Sequence, residues 1–180
     1  TNNYQAVITN DFLFNSDNFI SKKGLLTNYN FLIKHDNSFT STPADDDFIS
    51  DLYQSFLMKT EYPLVEKNEK YNNYLKPIIA VKISPNNSKD ISNKDLRISY
   101  DNIFSFNRIR SSRNVEEGRT VSMGIEYQKT DKEDNSIFTF GLANSISDKK
   151  NNNLPSKSKL DQTRSDIVGK LNIKPTKLLN

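Results

Sequence analysis

The sequence predicts an all-β protein, an antiparallel up-and-down meander of about eight long strands that forms part of a large transmembrane β-barrel. Three observations predict it. Apolar and polar residues alternate over segments of about 9–11 residues, the length that crosses a bilayer at the tilt of a barrel strand, whereas strands in general average about 5–6 residues. Between these segments lie clusters of Asn, Ser, Asp, Lys and Gly that read as turns. Tyr4, Tyr29, Tyr62 and Tyr127 stand toward segment ends, where an aromatic girdle would lie.

Val121 to Gln128 shows the pattern most plainly. Val121, Met123, Ile125 and Tyr127 point one way along an extended chain; Ser122, Gly124, Glu126 and Gln128 point the other. From the start of the chain, Tyr4, Ala6, Ile8, Phe12 and Phe14 share a face opposite Gln5, Thr9 and Asp11, and "SDNFISKKG" follows as a turn. Leu25, Tyr29, Phe31 and Ile33 then oppose Asn28, Asn30 and Lys34. Residues 36–50 read as a polar loop.

Residues 43–58 allow two readings. Thr42-Pro43 fits a helix start, with Phe48, Ile49, Leu52, Tyr53, Phe56 and Leu57 as its stripe. A strand over "LYQSFLMKTEY", with Leu52, Phe56, Met58 and Tyr62 on one face, agrees better with its neighbours; a short helix before it is compatible with both. In "YLKPIIAVKIS", Leu75, Pro77, Ile79, Val81 and Ile83 align, and Pro77 marks a strand start or bulge because it cannot donate to a ladder. "LRISYDNIF" reads as a weaker strand. Strands follow over "RTVSMGIEYQKT", over "SIFTFGLANSIS" with Phe138, Phe140 and Leu142 outward, and over "RSDIVGKLNIKPTK" with Ile167, Leu171 and Ile173 opposite Lys170, Asn172 and Lys174.

Composition narrows the function classes. No apolar run approaches the roughly 20 residues of a membrane helix, which leaves barrels open. Hydrophobic residues make up 34% of the 180, low for a thick soluble core, where about 45–50% is usual on a count that includes Gly. Without Cys there is neither a disulfide framework nor a thiolate metal site. The net charge of +3 is spread along the chain and does not point to nucleic acid. The single His35 cannot build a His-based metal cluster and makes a catalytic triad a poor fit. No cofactor motif is visible. Asp45–Asp47 reads as a solvated loop before it reads as a cation site, and "NRIRSSR" (107–113) as an ordering or lumen-lining segment before a phosphate site. The chain begins and ends close to strands, which reads as an internal fragment with any signal peptide upstream.

The stretch from Tyr74 to Lys174 resembles the C-terminal barrel of the LPS-assembly protein family LptD, formerly the organic-solvent-tolerance protein. "YLKPIIAVKISPNN", with Pro77, looks like a family strand running from a charged residue and Pro to Pro-Asn. "YDNIFSFNRI" is similar to a family segment at Asp101, Phe104, Asn107 and Arg108. "SRNVEEGRTVSMGIEY" approximates its Arg-x-Glu-x-Gly-x-Arg run at Arg113, Glu116, Gly118 and Arg119. "RSDIVGKLNIKP" is similar to a Ser-Asp-x-Val-Gly strand at Ser165, Asp166, Val168, Gly169 and Pro175, and "EYPL" (61–64) to a strand end. "SNKDL" and Arg110–Ser112 depart from the pattern, and the first 60 residues share only the alternation.

The resemblance implies a Gram-negative outer-membrane protein that inserts lipopolysaccharide into the outer leaflet. It implies a lipoprotein plug (LptE-like) inside the barrel and a periplasmic bridge (LptA-like) reached through an N-terminal domain. Residues 1–180 would form one partial barrel domain without that N-terminal domain, and without turnover chemistry. Val121, Met123, Ile125, Tyr127, Phe138, Phe140 and Leu142 are then expected to face membrane lipids. Lys34, Lys82, Lys170 and Lys174 are expected in a wet lumen, as solvated lysines or as attractors of anionic lipopolysaccharide. Gly124 and Gly141 would mark either room for a plug or simple strand curvature. Arg is expected to be costly at Val121 or Phe140 and much less so at Ser122 or Thr139. A soluble β-sandwich or surface binding module, or another porin- or receptor-like barrel, would share the alternation; what covers the apolar face separates them. An open fragment of this kind is not expected to be a stable soluble monomer.

Overall fold

The computed structural model describes residues 4–42, 46–85, 89–109 and 113–174. Alternating segments become strands: β1 (Tyr4–Asn15), β2 (Phe19–Ile20), β3 (Leu26–Ser41), β4 (Asp46–Glu61), β5 (Leu64–Lys67), β6 (Asn72–Ser84), β7 (Gly118–Thr130), β8 (Ser136–Ser147) and β9 (Val168–Ile173). All pair antiparallel in one sheet ordered β1-β3-β4-β6-β7-β8-β9. The two short strands continue their predecessors past a break, β2 along β3 and β5 along β6. Long strands that follow one another in sequence lie side by side, so the sheet is an up-and-down meander. It is not closed, and β1 and β9 form its two ends. Among the described residues, no helix is long and apolar enough to cross a membrane.

Pro77 sits where its missing N–H does least harm. It pairs with Ile125 of β7 on one side. On the other side the ladder is interrupted between Glu61↔Ile78 and Leu64↔Leu75. The Pro77 carbonyl still accepts a hydrogen bond from the Tyr62 amide at 3.0 Å. The strand reading of residues 46–58 holds. The residues of the helical stripe divide between two faces: Phe48, Leu52 and Phe56 are exposed, while Tyr53 and Leu57 are buried. The helix start at Pro43 and the strand end at Pro175 fall outside the described residues.

Three sequence expectations are corrected. Residues 36–50 are no loop, because β3 runs on to Ser41 and β4 has begun by Asp46. The polarity there misleads because both faces are polar, with His35 Nε2 lying 2.9 Å from Ser50 Oγ on one and Asp36 held in ion pairs on the other. "SDNFISKKG" contains the short strand β2, paired to Thr27 and Leu26. "LRISYDNIF" is not a strand at all. Residues 100–109 run as successive turns, with the Asn102 and Ile103 amides both donating to the Ser99 carbonyl, and the segment packs on the sheet instead of joining its ladder.

That packing forms the core. Ile91, Ile98, Tyr100, Ile103 and Ile109 from the β6–β7 connection meet Leu154 and Leu160 from the β8–β9 connection over Ala143 of β8. The sheet makes room for them with glycine. A Cβ on Gly124 would lie 2.7 Å from Cζ of Phe104, and one on Gly141 would lie 2.7 Å from Cε2 and Cζ of Tyr100. Close approach by the chain's own loop thus answers what the two inward glycines are for. Gly141→Ala should cost about 1–3 kcal/mol in urea unfolding of the folded protein, as overpacking does. Gly169→Ala, whose Cβ would make an ordinary 3.5 Å contact with Leu142 Cδ2, should be neutral or mildly stabilising.

Candidate functional site

The sheet register builds two unlike faces. Partners across a ladder share a face, so the alternation of each strand adds to continuous rows. One row runs Tyr29, Met58, Val81, Val121, Ile146 across five strands. Another runs Leu75, Tyr127, Phe140, Leu171. These side chains stay uncovered: Val121, Met123, Ile125, Phe140 and Leu142 are each 37–41% exposed, Phe12 61% and Leu171 65%. Tyr127 and Phe138 lie on the same face with ring centroids 6.0 Å apart. At the end of the short turns the face is aromatic, with Phe19 edge-on to Tyr29 and Tyr29 stacked on Phe56. Lys129 lies 4.0 Å over the Tyr71 ring at that end. All seven residues expected to face lipid therefore lie together on the exposed face.

The opposite face is polar and, over β6 to β8, covered. Its centre is Glu116, which is 1% exposed and reached by Lys82 and Arg108, themselves 3% and 2% exposed. Arg108 Nε donates to Glu116 Oε2 at 2.9 Å, a second Arg108 nitrogen donates to Oε1, and the Lys82 ammonium also donates to Oε2. Burial alone would raise the Glu116 carboxyl. The Lys82 and Arg108 charges beside it more than offset this and lower it to about 2. Around this group the loop is tied to the wall. Asn102 Nδ2 donates to the Arg108 carbonyl at 3.2 Å, and Ser122 Oγ donates to the Ile103 carbonyl at 2.9 Å.

A second anchor lies at Asp36 of β3, fully buried, which accepts from Lys89 Nζ at 2.9 Å, Arg113 Nε at 3.1 Å and Thr9 Oγ1 at 2.7 Å. The β6–β7 connection is thus held at both ends by charge, first near its start by Lys89 and then by Arg108, Arg113 and Glu116.

The motif residues fall into this scheme unevenly. Arg108, Arg113 and Glu116 are ionic anchors. Phe104 fills the space over Gly124 and meets Tyr100 edge-on at 5.7 Å. Asp101 pairs with Lys170 at 3.0 Å. Asn107 is exposed and lines a cavity of about 280 Å³ between the loop and Leu13, Leu32 and Lys34. Gly118 has φ +101°, a conformation that favours glycine, and starts β7. Ser165 Oγ accepts the Ser145 amide at 2.9 Å, and Asp166 pairs with Lys159 at 3.1 Å. Gly169 lies opposite Leu142 on the exposed face, and Arg119 projects from that face too. Residues 110–112 of "NRIRSSR" and the start of the "DDD" run lie outside the described residues.

The four inward lysines differ in their surroundings, Lys34 and Lys82 being buried and Lys170 and Lys174 reaching solvent. Lys34 pairs with Asp11 at 2.6 Å, Lys82 is buried on Glu116, and Lys170 is held by Asp101. Lys174 lies just beyond β9 and is exposed. Ser122 and Thr139 are 3% and 8% exposed, so Arg at either would meet packed atoms and would not be cheap. Sequence reasoning missed Asp36, Lys89 and Asn102, whose partners are distant in the chain. The glycine pair was the one local signal that something approached the wall.

Among known proteins, the family model of LptD, described as LPS transport system D, matches residues 25–180. No curated protein matches. The match extends upstream through β3 and β4, where the sequence shares only the alternation with the family motifs. With most of its length matched and an all-β meander as its fold, this chain belongs to the LptD family, whose function is lipopolysaccharide transport.

Proposed function

We propose that this chain is a run of wall from a transmembrane β-barrel in the outer membrane of a Gram-negative bacterium, and that the whole protein inserts lipopolysaccharide into the outer leaflet. The observation that carries the reading is that the exposed face carries apolar rows from strand to strand across the sheet, while the face that packs is mostly polar. A soluble sandwich would bury the apolar rows between its layers. A barrel turns them to hydrocarbon and keeps polar groups inside.

Residues 1–180 form one partial barrel domain in this reading. The short connections 16–25, 62–71 and 131–135 face the periplasm, and the long ones, 85–117 and 148–167, face outward, as is usual for outer-membrane barrels. The loop between β6 and β7 narrows the lumen beside β6 to β8. Over β1 and β4 the inner face keeps exposed apolar groups, Val7, Leu13 and Ile49, and there an LptE-like lipoprotein plug docks. An LptA-like periplasmic bridge delivers the lipid through a domain beyond this chain. No bond is made or broken in the process.

Depletion of the full-length protein in its own bacterium tests this. Newly made lipopolysaccharide should stop reaching the cell surface while other outer-membrane barrels still assemble. Normal surface delivery after depletion would overturn the reading.

A further inference from the structure

The exposed face has an irregular corner at the long-loop end of β8. Strand β9 starts only at Val168; just before it residues 163–165 meet β8 at an isolated bridge, Ile146 to Arg164, flanked by hydrogen bonds to Ser147 and Ser145. Bridge partners share a face, so Arg164 projects beside Ile146 at the edge of the apolar rows. Its side chain is exposed and makes no hydrogen bond or ion pair among the described residues.

Two cavities meet at this arginine. One is an apolar groove of about 400 Å³ over Met123, Ile125 and Leu142. The other is a wider polar hollow of about 1040 Å³ along residues 159–166. Arg164 and Ile167 line both. A second exposed arginine, Arg119, stands on the same face two strands away and two residues further along, about 12 Å by strand geometry. Two of the neighbouring carboxylates are held in ion pairs, Glu117 with Lys149 and Asp166 with Lys159. Two are not: Asp161, which lines the hollow, accepts from Gln162 Nε2 at 2.5 Å, and Asp148 accepts only a backbone amide, that of Arg119, at 3.3 Å.

We propose that this corner binds one phosphate-bearing lipid of the surrounding leaflet. An acyl chain lies in the groove, the phosphate sits on Arg164, and the polar hollow receives the rest of the headgroup. Arg119 is the second cation. A guanidinium fork matches phosphate oxygens in two parallel hydrogen bonds, and an apolar groove beside it suits an amphiphile better than a free ion. The inference rests on the lipid-facing reading of this face.

Native mass spectrometry of the full-length protein in maltoside micelles, which carry no phosphate, tests it. The probes are phosphatidylglycerol and a galactosyl diacylglycerol with the same acyl chains. The protein should retain phosphatidylglycerol about tenfold or more over the galactolipid, the scale of one charged hydrogen-bonded contact. Arg164→Gln should remove most of that preference and Arg119→Gln a part of it. Lys129→Gln, at the opposite rim, should leave it intact. Inorganic phosphate should not displace the lipid. Equal retention of both lipids overturns the phosphate site while the lipid-facing reading stands. An Arg164→Gln protein with the full preference, or displacement by phosphate alone, also overturns it. Retention of neither lipid removes both the site and the support for a lipid-facing wall.

Discussion

Arg substituted for Leu142 should destabilise the folded protein by about 2–4 kcal/mol in outer-membrane-like vesicles, the range for Arg on the lipid face near the midplane. Leu142 pairs with Ile125 and Gly169 midway along the apolar rows, between Ile146 and Phe138. At Phe140, one row nearer the aromatic end, the loss should be smaller but in the same direction. At Gln128, close to Phe140 in depth but on the inner face, Arg should cost close to nothing. Urea unfolding of the full-length protein in vesicles measures all three. Comparable losses at Leu142, Phe140 and Gln128 would mean that the two faces do not see different solvents.

Glu116→Ala should cost about 3–5 kcal/mol, because it leaves Lys82 and Arg108 buried without their partner. The expected structural result is release of the β6–β7 connection from β7 and β8, read as new protease cleavage between residues 89 and 109. Replacing Lys82, Arg108 and Glu116 together by apolar residues should restore much of the loss, since no charge is then stranded. A triple variant as unstable as Glu116→Ala would show that the charges are not the reason. The acid limit follows from the same group. Its carboxyl is lowered from 4.5 to about 2 in the folded protein. The stabilisation is therefore fully present above about pH 4.5 and drains away as pH falls toward 2. Loop protection should be flat from pH 7 to 5 and decline below that, and the acid decline should be smaller in Glu116→Gln, where the Asp36 anchor remains.

The strands were legible where one face is apolar and the other polar. In the middle of β6, β7 and β8 nearly every second residue is apolar, Asn144 being an exception, and the register carries that alternation from strand to strand. Legibility failed where the pattern loses its cause. Strands β3 and β4 are 16 residues long, more than the roughly 9–11 that cross a bilayer. Their extra length has His35, Asn37 and Ser50 on the outer face and Asp36 on the inner one, so no alternation remains to read. The opposite error arose at Leu96, Ile98 and Tyr100. They are spaced like a strand, yet Ile98 and Tyr100 are buried against the sheet and Leu96 packs on the same cluster.

The candidate site was half legible for a similar reason. Face assignment needs only local parity, and parity puts Lys82 on the face opposite Val81 and Ile83. Burial depends on which distant segment lies above; the Glu116 that neutralises Lys82, and the Arg108 that shares this carboxylate, come from a loop 26 to 34 positions away in sequence. The family motif supplied those residues without their geometry. The geometry gives Arg108, Arg113 and Glu116 the task of pinning a loop, and leaves Arg119 on the other face for a different one.

The central claim is that hydrocarbon, not protein, lies against the apolar rows. Spin labels placed one at a time along residues 119–130 of the full-length protein in bilayers test it most directly. Collision with oxygen, which concentrates in lipid, should peak at positions 121, 123, 125 and 127 and fall at the residues between them, repeating every second residue. Labels at those four positions that are immobile and shielded from both oxygen and a water-soluble relaxant would place them in a dry protein interior, and would contradict the account.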